Sequence, residues 1–161
     1  AMLIRHAAMA DLDRLAEIEA AGYPAAEGAS KESIRGRLRV YPEGFWLLER
    51  EGTVCAFVNG FATDQADLTD AMYEDPQMHD PAGAWQMIFS VVTAPEARHT
   101  GAASALLRQV KADAKAAGRK GIVLTCKDRL LGFYAQFGFV DEGISGSTHG
   151  DVVWHQMRLM F

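Results

Sequence analysis

The run Trp85 to Val92 is apolar almost throughout, the run Ala102 to Ala117 carries apolar residues at helical spacing, and Arg98-His99-Thr100-Gly101-Ala102-Ala103 lies between them. This pattern predicts a strand over 84–93 feeding a small-residue turn that opens a helix near 101–117, closed by Gly118. A helix start of this kind leaves backbone N–H groups without partners. Together with the positive end of the helix dipole they suit an anion. Gly101 and Ala103 project no bulky side chain, so a pyrophosphate can approach the backbone there. An ordinary strand–loop–helix connection would carry the same short pattern. It is not a dinucleotide G-x-G-x-x-G, since only one of those glycines is present, and no Gly-Lys-Ser/Thr follows to make a P-loop.

The rest of the chain reads as one domain over 2–161, without repeats, linkers or low-complexity segments. Ala1 ahead of Met2 reads as a residue left by expression. Met2 to His6 predicts a first strand. Asp11 is placed to cap the next helix, whose Leu12, Leu15 and Ile18 share a face. A second helix is expected over Lys31 to Val40, and Phe45 to Arg50 with Thr53 to Phe61 form a hairpin at Glu51-Gly52. Asp64 to Gly83 breaks the pattern, holding Asp67, Asp70, Glu74, Asp75 and Asp80, with Pro76 and Pro81 against any long regular element. Gly121 to Cys126 reads as a buried strand, Leu130 to Gln136 as a short helix, and Phe139 to Ile144 with Val152 to Leu159 as a β tail. Strand, helix and strand over 84–126 imply a parallel βαβ core with a right-handed crossover.

Length and composition suit one soluble domain with a sizeable core. A net charge of −5 argues against nucleic acid as a partner, because phosphate binding needs a basic face. It suits a cationic ligand. No apolar run approaches a membrane span and no secretory segment is present, so no membrane partner is expected and the cytoplasm is the expected location. Cys55 and Cys126 lie in apolar runs without metal or disulfide spacing and read as buried reduced thiols.

Further along, Leu124-Thr125-Cys126-Lys127-Asp128 ends a strand, followed by Gly132-Phe133-Tyr134-Ala135-Gln136-Phe137-Gly138-Phe139. With R-x-x-G-x-A, these segments resemble the acyl-CoA-binding core of the GNAT superfamily of N-acetyltransferases. Arg98, Gly101 and Ala103 stand on its Q/R-x-x-G-x-G/A signature, and Phe133-Tyr134 with Phe137-Gly138-Phe139 match its F-Y-x-x-x-G-F element. The resemblance runs in order over essentially the whole chain. Within the superfamily the pattern is most similar to the arylalkylamine (serotonin) N-acetyltransferase branch. Leu124 to Tyr134 is similar to its L-x-C-E-D-x-L-x-x-F-Y, and the tail Gly143 to Met157 is also similar. One departure stands out: the two strand histidines of that branch are Met87 and Phe89 here.

The resemblance implies an α/β (α+β) domain with a mixed central sheet of about six to seven strands flanked by helices around the βαβ core. It implies acetyl-CoA as cosubstrate, no metal, and a small amine, aromatic ones included, as acceptor. Contacts to CoA would come from Val91, Val92, Thr93, Arg98, His99, Thr100, Gly101, Ala102, Ala103, Ser104 and Phe133. Tyr134 matches the tyrosine beside the CoA sulfur. A phenol, with an unperturbed pKa of about 10, stays protonated at neutral pH and can donate to a departing thiolate. The acceptor side would draw on Tyr23, Tyr73, Asp70 and His149.

The base is open among His79, His149, His155, the acidic segment and a water chain. Glu17, Glu19 and Asp128 read as surface charges. A peptide amine as acceptor, or an acyl-CoA-binding module without chemistry, are the alternatives. A homodimer is compatible with the chain.

Overall fold

The computed structural model describes residues 1–147 and 149–161, His149 by its backbone alone. The elements run β1 (Met2–Arg5), α1 (Leu12–Gly22), α2 (Lys31–Val40), β2 (Phe45–Arg50), β3 (Thr53–Asn59), β4 (Ala62–Thr63), α3 (Asp70–Glu74), β5 (Trp85–Ile88), β6 (Ser90–Thr93), α4 (Ala102–Ala116), β7 (Gly121–Cys126), α5 (Leu131–Ala135), β8 (Val140–Ile144) and β9 (His155–Met160). One sheet is ordered β1-β2-β3-β6 and the other β4-β5-β7-β9-β8. Among the described residues only the β5–β7 pair is parallel, with α4 as its crossover. The layering and the βαβ core are as the sequence implied. The strand read as one piece over 84–93, however, breaks at Phe89 and serves both sheets in turn.

The break has a local cause. A Cβ at Gly60 would lie 1.7 Å from the Met87 carbonyl oxygen, so only glycine lets the chain after β3 pass this close to the end of β5. Phe89 N–H donates to Asn59 C=O at 2.7 Å, and Met87 N–H to Phe61 C=O at 2.7 Å. The buried amide of Gln86 donates to the Phe61 and Met87 carbonyls at 3.2 and 2.9 Å. Backbone groups released by the break are thus satisfied, as burial demands.

Both faces of β2, β3, β5 and β7 are covered, so these strands are apolar at most positions rather than alternately. Phe45 and Leu47 face the layer of α1 and α2 with Leu15, Ile18, Ile34 and Leu38, while Trp46 and Leu48 face α4 with Leu106, Leu107 and Val110. Met87 and Val123 belong to the first layer, and Ile88, Ile122 and Leu124 to the second.

Three local readings are adjusted. Asp11 does not cap α1 through its side chain; its carboxylate accepts from Ala8 N–H at 2.8 Å and pairs with Arg5 at 2.8 Å. The Asp64–Gly83 stretch is not wholly irregular: it holds α3 and a 3-10 turn at Pro76–Met78. Both cysteines are free and buried, as expected. Among the described residues no helix is long and apolar enough to cross a membrane.

Candidate active site

The parallel pairing of β5 with β7 ends at Ile88 and Leu124. Beyond it, β6 follows β3, while Thr125 and Cys126 stay with β9. Two strand edges therefore diverge inside the molecule. Val91 turns its N–H and C=O away from β3, and the Tyr23 hydroxyl meets them at 3.4 and 3.1 Å. On the opposite edge the Tyr73 hydroxyl lies 3.2 Å from Thr125 Oγ1, its ring 4.7 Å from that of Phe89. Tyr134 on α5 is buried, ring-edge to Phe133 and Phe139 at 5.2 and 5.9 Å. Among the described residues its hydroxyl has no hydrogen-bond partner.

Three phenols thus converge on the opening. Burial raises all three, Tyr73 to about 12, with Glu19 adding to the rise at Tyr23. All are proton donors at neutral pH, and none is a ready base.

On one side of the opening lies a groove of about 390 Å³ lined by Tyr23, Val91, Val92, Thr93, Arg98, Arg129 and Leu130. Val91 and Thr93 show partly exposed side chains, whereas Val92 is buried against the α1 layer and offers backbone only. Past Arg98, whose guanidinium donates to Ala21 C=O at 3.3 Å, the chain makes the turn that starts α4. His99 and Gly101 both adopt left-handed backbone, φ 62° and 82°. Glycine takes this conformation freely, but histidine does so at a cost.

Gly101 provides no side-chain cap, and the first ladder bond runs from Ala105 N–H to Gly101 C=O at 3.0 Å. The N–H groups of Ala102, Ala103 and Ser104 therefore precede the ladder. The Thr100 hydroxyl is engaged elsewhere, donating to Ala97 C=O at 2.5 Å and accepting from Arg50 at 2.6 Å. Phe133 and Ser104 are half-buried nearby. Arg129 was not singled out by the sequence reading. Its signal was a second cation in the loop that follows a strand end, as Arg98 is.

On the other side lies a cavity of about 200 Å³ lined by Glu19, Glu27, Ser33, Arg37, Tyr73, Glu74, Phe89 and Ser90. The expectation for Glu19 was wrong: it is 2% exposed, not a surface charge. Its Oε2 accepts from Ala29 N–H at 2.9 Å and from Ser90 Oγ at 3.2 Å. The signal was in the sequence, because Leu12, Leu15, Ile18, Glu19 and Gly22 recur at helical spacing and set Glu19 on the buried face. Glu17 and Asp128 are exposed as expected. Glu27 pairs with Lys127 at 2.6 Å. Arg37, 3% exposed, donates to Asn59 Oδ1 at 2.9 Å and Tyr73 C=O at 2.8 Å, and lies 5.0 Å from the Phe89 ring.

The other candidates are spread out. Asp70 accepts from Ser147 Oγ at 2.5 Å and does not line the cavity. Asp67 pairs with Arg158 at 2.7 Å, and Asp75 and Asp80 accept backbone N–H groups two residues on. Of the segment's six carboxylates, Asp64 included, only Glu74 lines the cavity. His79 lies in a different cavity with His6, Trp46 and Gln86, where Ala62 N–H donates to its Nδ1 at 3.1 Å and burial lowers its pKa. His155 sits between Asp128 and Asp141 at 2.9 and 3.2 Å. The side chain of His149 lies outside the described residues. Among the described residues no cluster of His, Cys, Asp and Glu is arranged to hold a metal ion.

Solved structures share this fold over nearly the full length. The loading GNATL domain of CurA from Lyngbya majuscula superposes with a TM-score of 0.87 at 17% identity, covering 99% of this chain and 98% of that one. The GphF GNAT-like decarboxylase in complex with isobutyryl-CoA gives 0.84 at 25% identity, covering 98% of each. The PaiA N-acetyltransferase from Thermoplasma acidophilum in complex with coenzyme A gives 0.74 at 16%, covering 100% and 99%. No curated protein is significantly similar in sequence. Residues 12–139 match the Acetyltransferase (GNAT) family, and the chain belongs to that family of acetyl-CoA-using acetyltransferases.

Proposed function

We propose that this protein moves the acetyl group of acetyl-CoA directly to the primary amine of a small molecule. The observation that carries the reading is a cavity of about 200 Å³ bordered by Glu19, Glu27 and Glu74, adjoining the strand opening on the side away from the two guanidiniums. A cationic amine is the acceptor such a cavity favours, since converging carboxylates raise the local concentration of cations. The aromatic walls, Tyr73 and Phe89, suit an acceptor of the arylalkylamine kind.

On the cofactor side, Arg98, Arg129 and the N–H groups at the start of α4 would hold the phosphates, and Val91 would offer N–H and C=O to the linear arm leading to the thioester. A backbone N–H at this edge polarises the thioester carbonyl. Tyr134, kept protonated by burial, would supply the proton to the departing thiolate. Tyr23 and Tyr73 would separate the two halves of the site.

A second reading, decarboxylation of a carboxyacyl-CoA, is favoured by the 25% identity to a GNAT-like decarboxylase and by the buried cation Arg37 beside the opening. The three cavity carboxylates weigh against it. Thiol release from acetyl-CoA with a panel of primary amines tests the first reading. Conversion of a carboxyacyl-CoA to its decarboxylated thioester, without thiol release, would replace it with the second. Binding of acetyl-CoA without either reaction would leave a sensor module.

A further inference from the structure

We infer that Glu19 is the general base of this reaction, taking a proton from the acceptor ammonium in the cavity between α1 and α2; the assignment rests on the amine-acetylation reading above. The strand positions before the opening, Met87 and Phe89, carry no group that accepts a proton. Glu19 does, and it stands next to the reacting centre. Its carboxylate holds Ser90 Oγ at 3.2 Å, and Ser90 immediately precedes Val91, the residue with its backbone groups in the opening. One helical turn on, Tyr23 reaches the same Val91 groups. The end of α1 and the residue that follows it therefore span the acceptor cavity and the opening.

Burying a carboxylate is costly, and the bonds to Ala29 N–H and Ser90 Oγ could be made by a neutral side chain. The placement gives the charge a use: it lines the cavity together with Tyr73 and Phe89. Among the described residues, the charged and titratable groups that line the cavity or adjoin it include Tyr23 just past the end of α1, Glu27 paired with Lys127, Arg37 on α2, and Tyr73 with Glu74 on α3.

The proton balance closes without another reactant. Glu19 takes one proton from R–NH3⁺ and later releases it to water. The freed nitrogen lone pair attacks the thioester carbonyl carbon, and the C–S bond breaks with its electron pair on sulfur. Tyr134 protonates that sulfur, and its phenolate recovers a proton from the nitrogen as the amide forms. The sum is amide, free thiol and one proton.

The test compares wild type, Glu19→Gln and Glu19→Asp, with an alkylamine that is cationic at pH 7 and with aniline, which is neutral there. Glu19→Gln keeps an oxygen for Ala29 N–H and Ser90. It should lose about 10²–10⁴-fold in kcat/KM for the alkylamine. The acidic limb set by Glu19 should give way to a rise that follows the free-amine fraction up to the pKa of the alkylamine itself, while acetyl-CoA affinity by calorimetry stays within twofold. The loss should be at least tenfold smaller with aniline, and Glu19→Asp should recover part of it.

In wild type alone, the acidic limb should be steep with the alkylamine and shallow with aniline, a readout that needs no variant to fold. A folded Glu19→Gln with full kcat/KM and an unchanged acidic limb overturns the assignment and leaves Glu19 a tether. Equal acidic limbs for both amines in wild type also overturn it. No thiol release by wild type with any amine, acetyl-CoA still binding, overturns the amine reading itself and this assignment with it.

Discussion

The two sides of the strand opening are built in opposite ways. The groove side draws mainly on two stretches of chain, 91–104 and 129–134, and gathers two guanidiniums and a helix N-terminus. The cavity side is assembled from α1, the loop to α2, α2 itself, α3 and the strand break, and gathers three carboxylates around one internally bonded arginine. One side is basic and local, the other acidic and composite. On the proposed function, an anionic donor and a cationic acceptor would approach the same point from opposite directions, each kept from the other's path by charge.

Beside Glu19→Gln, the largest effect that would sharpen this division is expected from Tyr134→Phe, which removes a proton donor at the boundary and keeps the ring. General acid help is worth roughly 10²–10⁴-fold, and a thiolate leaves easily, so kcat should fall by about 10² with acetyl-CoA affinity almost unchanged. Full kcat where chemistry limits the rate would hand the donor role to water.

Gly101→Val should come next. A Cβ there meets no protein atom within 4 Å, so the cost is the φ of 82° rather than a clash. Such backbone strain runs to about 1–3 kcal/mol. It should appear as a lower Tm together with about tenfold weaker CoA binding. Unchanged affinity in calorimetry would move the phosphates away from the start of α4.

Arg98→Ala and Arg129→Ala should each weaken CoA about two- to fivefold, the scale of exposed ion pairs, and the loss should shrink in high salt. Amine KM should stay constant. A change confined to the amine would break the assignment of sides.

The smallest effect is expected for Glu74→Gln, raising amine KM about twofold at low salt with KM for acetyl-CoA unmoved. If KM for acetyl-CoA moved instead, the charge division would be wrong.

The same contrast explains what could be read from the chain. The strand, turn and helix of the groove side are contiguous, and their apolar period and small residues specify them locally. α2, the hairpin and the βαβ order were legible for the same reason. The break at Phe89 was not, because it depends on Gly60 meeting Met87 across the sheet, a contact between distant residues. Glu19 was misread because its charge outweighed its position on the apolar stripe of α1. The acidic segment drew attention through its number of carboxylates, yet backbone N–H groups and Arg158 engage several of them, a use that composition cannot reveal.

The hydroxyl of Tyr23 on both backbone groups of Val91 also bears on how tightly this protein can hold a ligand. A buried amide left unsatisfied costs about 1–3 kcal/mol, and the tyrosine spares the empty protein that cost. An entering molecule that bonds to Val91 must displace the hydroxyl, exchanging one partner for another with little net gain. Contacts at the thioester end would then fix alignment while adding little affinity, which must come from the distant phosphates. The acetylated and free forms of CoA, which carry the same phosphates, would be held almost equally. Turnover would then depend on their ratio in solution, and the free thiol would be an effective product inhibitor.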